Sequence, residues 1–390
     1  MKINKWTLGL AAAGVVSIGA VAQAEEAKEA LKTHLSSTVL SGYVNTSVHF
    51  NPNQRAAPGY AIGAGKANGF NLDVVNVTLE KPLSEDAWAA GYKAELLYGP
   101  DVKQLGTGSA NVVGAGTLNG NNLSDFGIKQ AYVNLRIPVG NGLETKLGVF
   151  DSIIGTETFN AGSNPNYTRA WSYTIEPFQH TGLLGSYRFC EWMSLTAALC
   201  NTTTSTVNGR PTNTGNLSHT TAITLTAPKS AGSLAGATLT LGHLGGRGNG
   251  AGAPSVYNMY AGASIPLPIA GLSLGLAYDQ RHTPGVKNGD DHVFGLYTSY
   301  RATKKLTLNL RGEYADLNSG AAGAIGAQGT EILAGTLTAD YALWANVVTR
   351  LEYRIDHDLT GNAGKAGYTS VGTPSRNNAH LFALNVIYKF

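Results

Sequence analysis

Residues 381–390 read LFALNVIYKF, and they decide the fold. Counting back from the end, Tyr388, Val386, Leu384 and Phe382 are apolar at every second position. The intervening set is mixed and includes Asn385 and Lys389. A period of two marks a strand with one oily face and one face that tolerates water. The strand finishes on an aromatic residue, Phe390. A soluble domain has little reason to end that way, whereas the closing strand of a membrane barrel does.

The beginning of the chain is consistent with export. Lys2 and Lys5 form a basic start, residues 6–21 are small and apolar, and Ala22-Gln23-Ala24 precedes Glu25 and Glu26. This is the pattern of a secretory signal peptide over residues 1–24. Residues 25–38 are expected to form a short periplasmic lead-in, and residues 39–390 the barrel. Loss of Lys2 and Lys5 takes the formal charge from +3 to +1. With no polybasic stripe, nucleic acid is excluded as a partner.

Composition narrows the class. The chain has 49 glycines and 18 tyrosines but only 14% charged residues. After the signal no apolar run approaches the roughly 18 residues a helical span needs. A barrel accounts for this mixture, because half of its strand residues face lipid and half face an aqueous lumen.

Sixteen alternating segments follow one another: 39–50, 70–80, 88–99, 126–136, 143–150, 180–189, 193–201, 217–227, 235–243, 256–264, 272–280, 292–301, 306–316, 331–340, 346–357 and 379–390. Their connections alternate between short turns and long Gly/Asn-rich stretches. The expected fold is therefore all-β, a transmembrane antiparallel up-and-down β-barrel of about 16 strands, with 14 or 18 as neighbouring counts. Long loops are expected outside the cell, and short turns and both termini in the periplasm.

Individual segments show the two faces. Within 346–357, Val347, Thr349, Leu351, Tyr353 and Ile355 point outward, and Arg350, Glu352, Arg354 and Asp356 inward. Within 306–316, Leu306, Leu308, Leu310 and Tyr314 are outward, and Asn309, Arg311 and Glu313 inward. A charge on the lipid face near the midplane costs about 2–4 kcal/mol, so confinement of ions to one face implies a wet interior. Tyr43, Tyr98, Tyr278, Tyr300, Tyr314, Tyr353 and Tyr388 suit an interfacial girdle. The Arg/Glu alternation also suits a ladder of cross-strand ion pairs.

The third long connection, residues 151–179, differs in texture from the others. It contains NPNYTRAWSYTIEPFQHTG, with Tyr167, Arg169, Trp171, Tyr173, Glu176 and Phe178 close together. Such a concentration of aromatic and charged groups predicts a folded segment. Here the chain resembles a known family. Gln130-Ala131-Tyr132-Val133-Asn134-Leu135, Lys146-Leu147-Gly148-Val149-Phe150, Ile154-Gly155-Thr156-Glu157, Arg169 and the run IEPFQHTG from Ile175 to Gly182 are similar to the beta-barrel porin-2 (OmpL-like) family of Gram-negative porins.

The resemblance implies a water-filled channel for passive diffusion of ions and small hydrophilic solutes, with the third loop folded inward to narrow it. It implies acidic loop residues, Asp151, Glu157 and Glu176, facing the basic wall residues Arg311, Arg350 and Arg354, with Lys93, Lys129 and Lys146 on other walls. Glu313 and Glu352 belong to the same wall. Glu176 paired with Arg169, or with the wall, to pin the loop is the structural alternative. The ending in Phe390 resembles the signal read by the outer-membrane barrel assembly machinery. A homotrimer in outer-membrane lipid is a further implication. Two alternatives remain at this level: a substrate-specific channel for sugars or small anions, with Tyr167, Trp171 and Tyr173 stacking on sugar rings, and a non-conducting barrel serving as adhesin or envelope anchor.

Catalysis is not expected. There is no G-x-S-x-G elbow, and the run GHLGGRGNG, residues 242–250, lacks the ending of a phosphate loop and reads as a surface loop. His180, His243, His282, His292, His357 and His380 fall at segment ends or in loops. Asp290 and Asp291 read as a solvated turn. No cofactor or metal is implied. Cys190 and Cys200 are expected at opposite ends of one strand, about 20 Å apart, too far for the roughly 7 Å a disulfide allows.

Overall fold

A computed structural model describes residues 37–52, 66, 68–105, 125–211, 217–250, 252–286, 289–318, 329–360 and 377–390. The expected signal peptide and most of the lead-in lie outside the described residues.

Sixteen strands form one closed barrel: β1 (Val39–Phe50), β2 (Gly69–Lys81), β3 (Ala90–Tyr98), β4 (Phe126–Ile137), β5 (Leu143–Asp151), β6 (Gln179–Cys190), β7 (Met193–Cys200), β8 (Ser218–Thr226), β9 (Thr238–Arg247), β10 (Ser255–Pro266), β11 (Leu272–His282), β12 (Asp290–Arg301), β13 (Leu306–Leu317), β14 (Thr330–Trp344), β15 (Val347–Asp358) and β16 (Asn378–Lys389). Each strand pairs antiparallel with its sequence neighbours. The seam closes between β1 and β16, from Tyr43 opposite Lys389 to Phe50 opposite Phe382. Closure removes every sheet edge, which hydrocarbon requires because it offers backbone groups no partner.

The period-two readings hold. On β16, Phe382, Leu384 and Tyr388 are exposed outward, while Leu381, Ala383, Asn385 and Ile387 are buried. On β11, Leu276 is exposed and its neighbours Ala277 and Asp279 are buried. Arg311, Glu313, Arg350, Glu352, Arg354 and Asp356 all point inward and are buried. Aromatic side chains mark the outer rims. Tyr353 packs on Phe382 with centroids 4.7 Å apart, and Tyr278 on Phe294 at 4.8 Å.

Several expectations change. Tyr43 is not part of the girdle: it faces inward and packs with Phe159, Ala161 and Ile387. β9 continues to Arg247, so six of the nine residues of the glycine-rich run are strand. Asp290 and Asp291 open β12 and are not a solvated turn: Asp291 is buried and accepts the Asn318 amide at 2.7 Å. β14 runs to Trp344, past a bulge between Ala342 and Trp344. Both cysteines are free. Cys190 lies opposite Met193 at the turn, and Cys200 opposite Gly182 at the other end of β7.

Candidate functional site: the third loop inside the barrel

The loop between β5 and β6, residues 152–178 (L3), holds only two short 3-10 turns, Ala161–Ser163 and Ser172–Thr174. It lies inside the barrel and is largely buried. An irregular segment withdrawn from water must find partners for its backbone groups. The inward charges of the wall supply them.

The arginines of the wall donate to L3 carbonyls. Arg311 Nη1 donates to Thr168 O at 2.8 Å, and Arg354 Nη1 to Arg169 O at 2.6 Å. Arg350 donates to Ala161 O at 2.7 Å and to Asn164 O at 2.9 Å. The carboxylates accept L3 amides. Glu352 receives the Tyr167 and Thr168 N–H groups at 2.6 and 2.9 Å, and Glu313 that of Trp171 at 2.6 Å. Asn309 and Asn258 reach Pro165 O and Ile175 O at 2.8 and 3.0 Å. The alternation of Arg and Glu along β13 and β15 is thus a docking template for the loop. Of the ladder pairs, Arg350 and Asp340 meet across strands at 2.9 Å, whereas Arg354 with Asp356 and Arg311 with Glu313 pair along one strand.

The loop's own side chains complete the joint. Glu157 forms an ion pair with Arg311 at 2.7 Å and accepts the Ala170 amide at 2.9 Å. Both side chains of the pair are fully buried, so each needs the other together with its remaining hydrogen bonds. Trp171 is fully buried and donates from its indole to Asp356 at 2.7 Å. It joins Ile175 against Val293, Ala315, Leu317, Ile332, Ala334 and Leu381, an apolar patch on the inner wall. Tyr167 bonds Ser47 at 2.9 Å and His49 at 2.7 Å. Tyr167, Trp171 and Tyr173 are all buried, so these three rings present no face on which a sugar could stack. On the other side, Gly242 of β9 admits Ile154: a β-carbon there would stand 2.5 Å from Ile154 Cγ2.

Two expected pairings are not formed. Glu176 does not meet Arg169 or the basic wall. It faces Asp279 of β11, and burial together with that neighbouring carboxylate holds its carboxyl well above the usual range. Beside it a cavity of about 230 Å³ is lined by Thr203, Ser205, Asn258 and Arg281, among others. Arg169 instead donates to three carbonyls of its own loop, those of Thr158, Tyr167 and Phe159, at 3.0, 2.8 and 3.0 Å. Asp151 does meet a lysine, Lys129.

L3 therefore meets the inner face from β9 round to β1. On β3–β7 the inward side chains Lys93, Tyr132, Lys146, Ser186 and Thr196 stay partly open to water. The Lys146 ammonium stands 4.7 Å over the Tyr132 ring and has no ion-pair partner among the described residues. The interior is thus wet on one side and dry beneath the loop. Sequence patterning located the wall charges, but not the apolar inner patch that buries Trp171. Its signal was the presence of Ala315, Leu317, Ile332 and Leu381 at inward positions of strands that carry charge elsewhere.

The fold is shared with solved outer-membrane barrels. An anion-selective porin from Comamonas acidovorans superposes with TM-score 0.59 at 13% identity, over 91% of this chain and 99% of that one. The trimer form of OmpT from Vibrio cholerae gives 0.58 at 12%, over 90% and 99%. OprB from Pseudomonas putida gives 0.58 at 11%, over 91% and 94%. No curated protein sequence matches the chain. A family model described as "Putative beta-barrel porin-2, OmpL-like" matches residues 37–390, the whole of the barrel, and the chain belongs to that family of outer-membrane porins.

Proposed function

We propose that this porin passes ions and small hydrophilic solutes by diffusion through the part of the lumen that L3 leaves open, without catalysis. The observation that carries the reading is the division of the interior. Glu157, Arg169, Glu176, Arg311, Glu313, Arg350, Glu352 and Arg354 are taken up in holding the loop, while Lys93, Lys146 and Asp151 keep contact with water. The first group sets the width of the constriction, and the second meets the solute.

Selectivity in such a passage follows the charges of its narrowest part. Asp151 is neutralised by Lys129, and Lys93 lies 3.6 Å from Glu95. Lys146 has no ion-pair partner among the described residues and carries an uncompensated charge. A weak preference for anions is the consequence, in keeping with the selectivity named for the Comamonas barrel.

Planar-bilayer recording in a salt gradient tests this reading. The expected reversal potential favours the anion, and liposome swelling shows a cut-off set by sugar size. Saturation on a single sugar would indicate a specific channel, and no conductance would indicate an anchor; either result would overturn the proposal. Cleavage after Ala24, loops 152–178 and its long companions entering from the cell surface, delivery through recognition of Phe390, and assembly as a trimer complete the reading. The Vibrio OmpT trimer supports the last of these.

A further inference from the structure

Six histidines face outward near the long-loop ends of their strands: His219, His243, His282, His292, His357 and His380. Four are bonded to a neighbour. His282 pairs with Asp290 at 2.7 Å and His357 with Asn378 at 2.6 Å, while His292 and His380 bond the hydroxyls of Tyr278 and Tyr353, each at 3.0 Å. The remaining two, His219 of β8 and His243 of β9, stack on each other with centroids 5.3 Å apart. No ring nitrogen of either has a hydrogen-bond partner among the described residues.

Their surroundings form a shallow basic notch. Gly245 is its floor: a β-carbon there would lie 3.0 to 3.1 Å from the rings of His243, His219 and Tyr257. Arg247, exposed and on the same outward face two residues on, has no ion pair among the described residues. Further round the same rim, the carboxylate of Asp290 is bonded to His282. Towards the middle of the barrel, Ile223, Leu241 and Met259 are exposed on the same outer face. The guanidinium of Arg247 and two unbonded imidazoles thus stand beside an apolar surface that meets acyl chains.

We infer that His219, His243 and Arg247, grouped around Gly245 on the lipid-facing wall, form a binding site for the phosphorylated headgroup of a membrane lipid whose acyl chains lie on Ile223, Leu241 and Met259. A phosphate supplies the acceptors that these donors lack, and contact with its charge favours the protonated imidazole and strengthens the bonds. Attachment to a lipid holds the phosphate at this depth, and the apolar surface beneath the notch commits the site to a lipid in preference to free phosphate. The inference depends on embedding in the outer membrane and is independent of conduction.

Native mass spectrometry of the delipidated protein in neutral detergent tests the site, with dimyristoyl phosphatidic acid, dimyristoyl glycerol and inorganic phosphate as probes. Phosphatidic acid is expected to bind at least about tenfold tighter than the phosphate-free diacylglycerol. His219→Gln with His243→Gln and Arg247→Gln should reduce it to the level of the diacylglycerol. Gly245→Val, which fills the notch without touching a charge, should do the same. His292→Gln, at a histidine already bonded, should leave binding unchanged. Retention of the folded barrel is checked by heat-dependent electrophoretic mobility. Equal binding of the two lipids, binding of inorganic phosphate alone with comparable strength, or undiminished binding in both notch variants overturns the inference.

Discussion

Arg311 of β13 and Glu157 of L3 meet at 2.7 Å with both side chains fully buried, and this contact ties the loop to the far wall. Removing one partner leaves the other charged and dry. Glu157→Ala is expected to cost about 3–5 kcal/mol of folding stability, the range for a broken buried pair. Because the lost contact lies between loop and wall, single-channel conductance should rise as the mobility transition on heating falls. Unchanged conductance together with unchanged thermal stability would show that the pair fastens nothing.

Arg350 and Arg354 separate the docking role from the filtering role. Both are buried beneath L3 and bonded to its carbonyls. Arg350→Glu with Arg354→Glu is expected to lower the yield of folded barrel sharply. Lys93→Glu with Lys146→Glu is expected to fold normally and to shift the permeability ratio towards cations by about threefold, since these groups meet water directly. Reversal potentials measured on both variants check the assignment. A selectivity change confined to the arginine variant would reverse it.

The outer and inner faces of the barrel were legible because the period of two is enforced by lipid. Leu276 cannot change places with Asp279 without placing a charge in hydrocarbon. All sixteen strands followed from that rule, with ends displaced where a bulge or a glycine-rich run obscured the pattern, as at Trp344 and Arg247. The interior obeys no such rule, because an inward residue can meet either water or the loop. Tyr43 suits the interface in sequence yet faces inward for that reason: outward and inward tyrosines look alike in a string of letters. Glu157 and Glu176 are equally acidic in the string of letters, yet one lands on Arg311 and the other on Asp279. Only the path of L3 distinguishes them, and that path is set by long-range contacts.

Gly242 bears on the fit of loop to wall without altering any charge. Its missing side chain is the space that Ile154 occupies. Gly242→Val should push Ile154 and the start of L3 away from β9. The expected result is faster amide exchange over residues 152–158, with the barrel strands still protected. Exchange identical to wild type would mean that the wall yields and the loop does not.

Glu176 gives the docked loop a pH dependence whose sign is fixed. Burial, and Asp279 beside it, raise the folded-state pKa of its carboxyl well above the unfolded value. The unfolded chain then loses this proton at a lower pH than the folded protein does. The contribution to stability is fully present below the ordinary carboxylic range. It declines as pH rises through the folded-state value, with a limiting slope of about 1.4 kcal/mol per pH unit. The cavity beside Glu176 gives the group a route to water for proton exchange. Hydrogen exchange over residues 172–178 should therefore be slower at pH 5 than at pH 8. Glu176→Gln keeps a neutral group opposite Asp279, so it should slow exchange at pH 8 and flatten the difference between the two conditions once intrinsic exchange is corrected for. A wild-type loop equally protected at both pH values, or a glutamine variant less protected than wild type at pH 8, would place the ionised form of Glu176 in the docked state and refute the assignment.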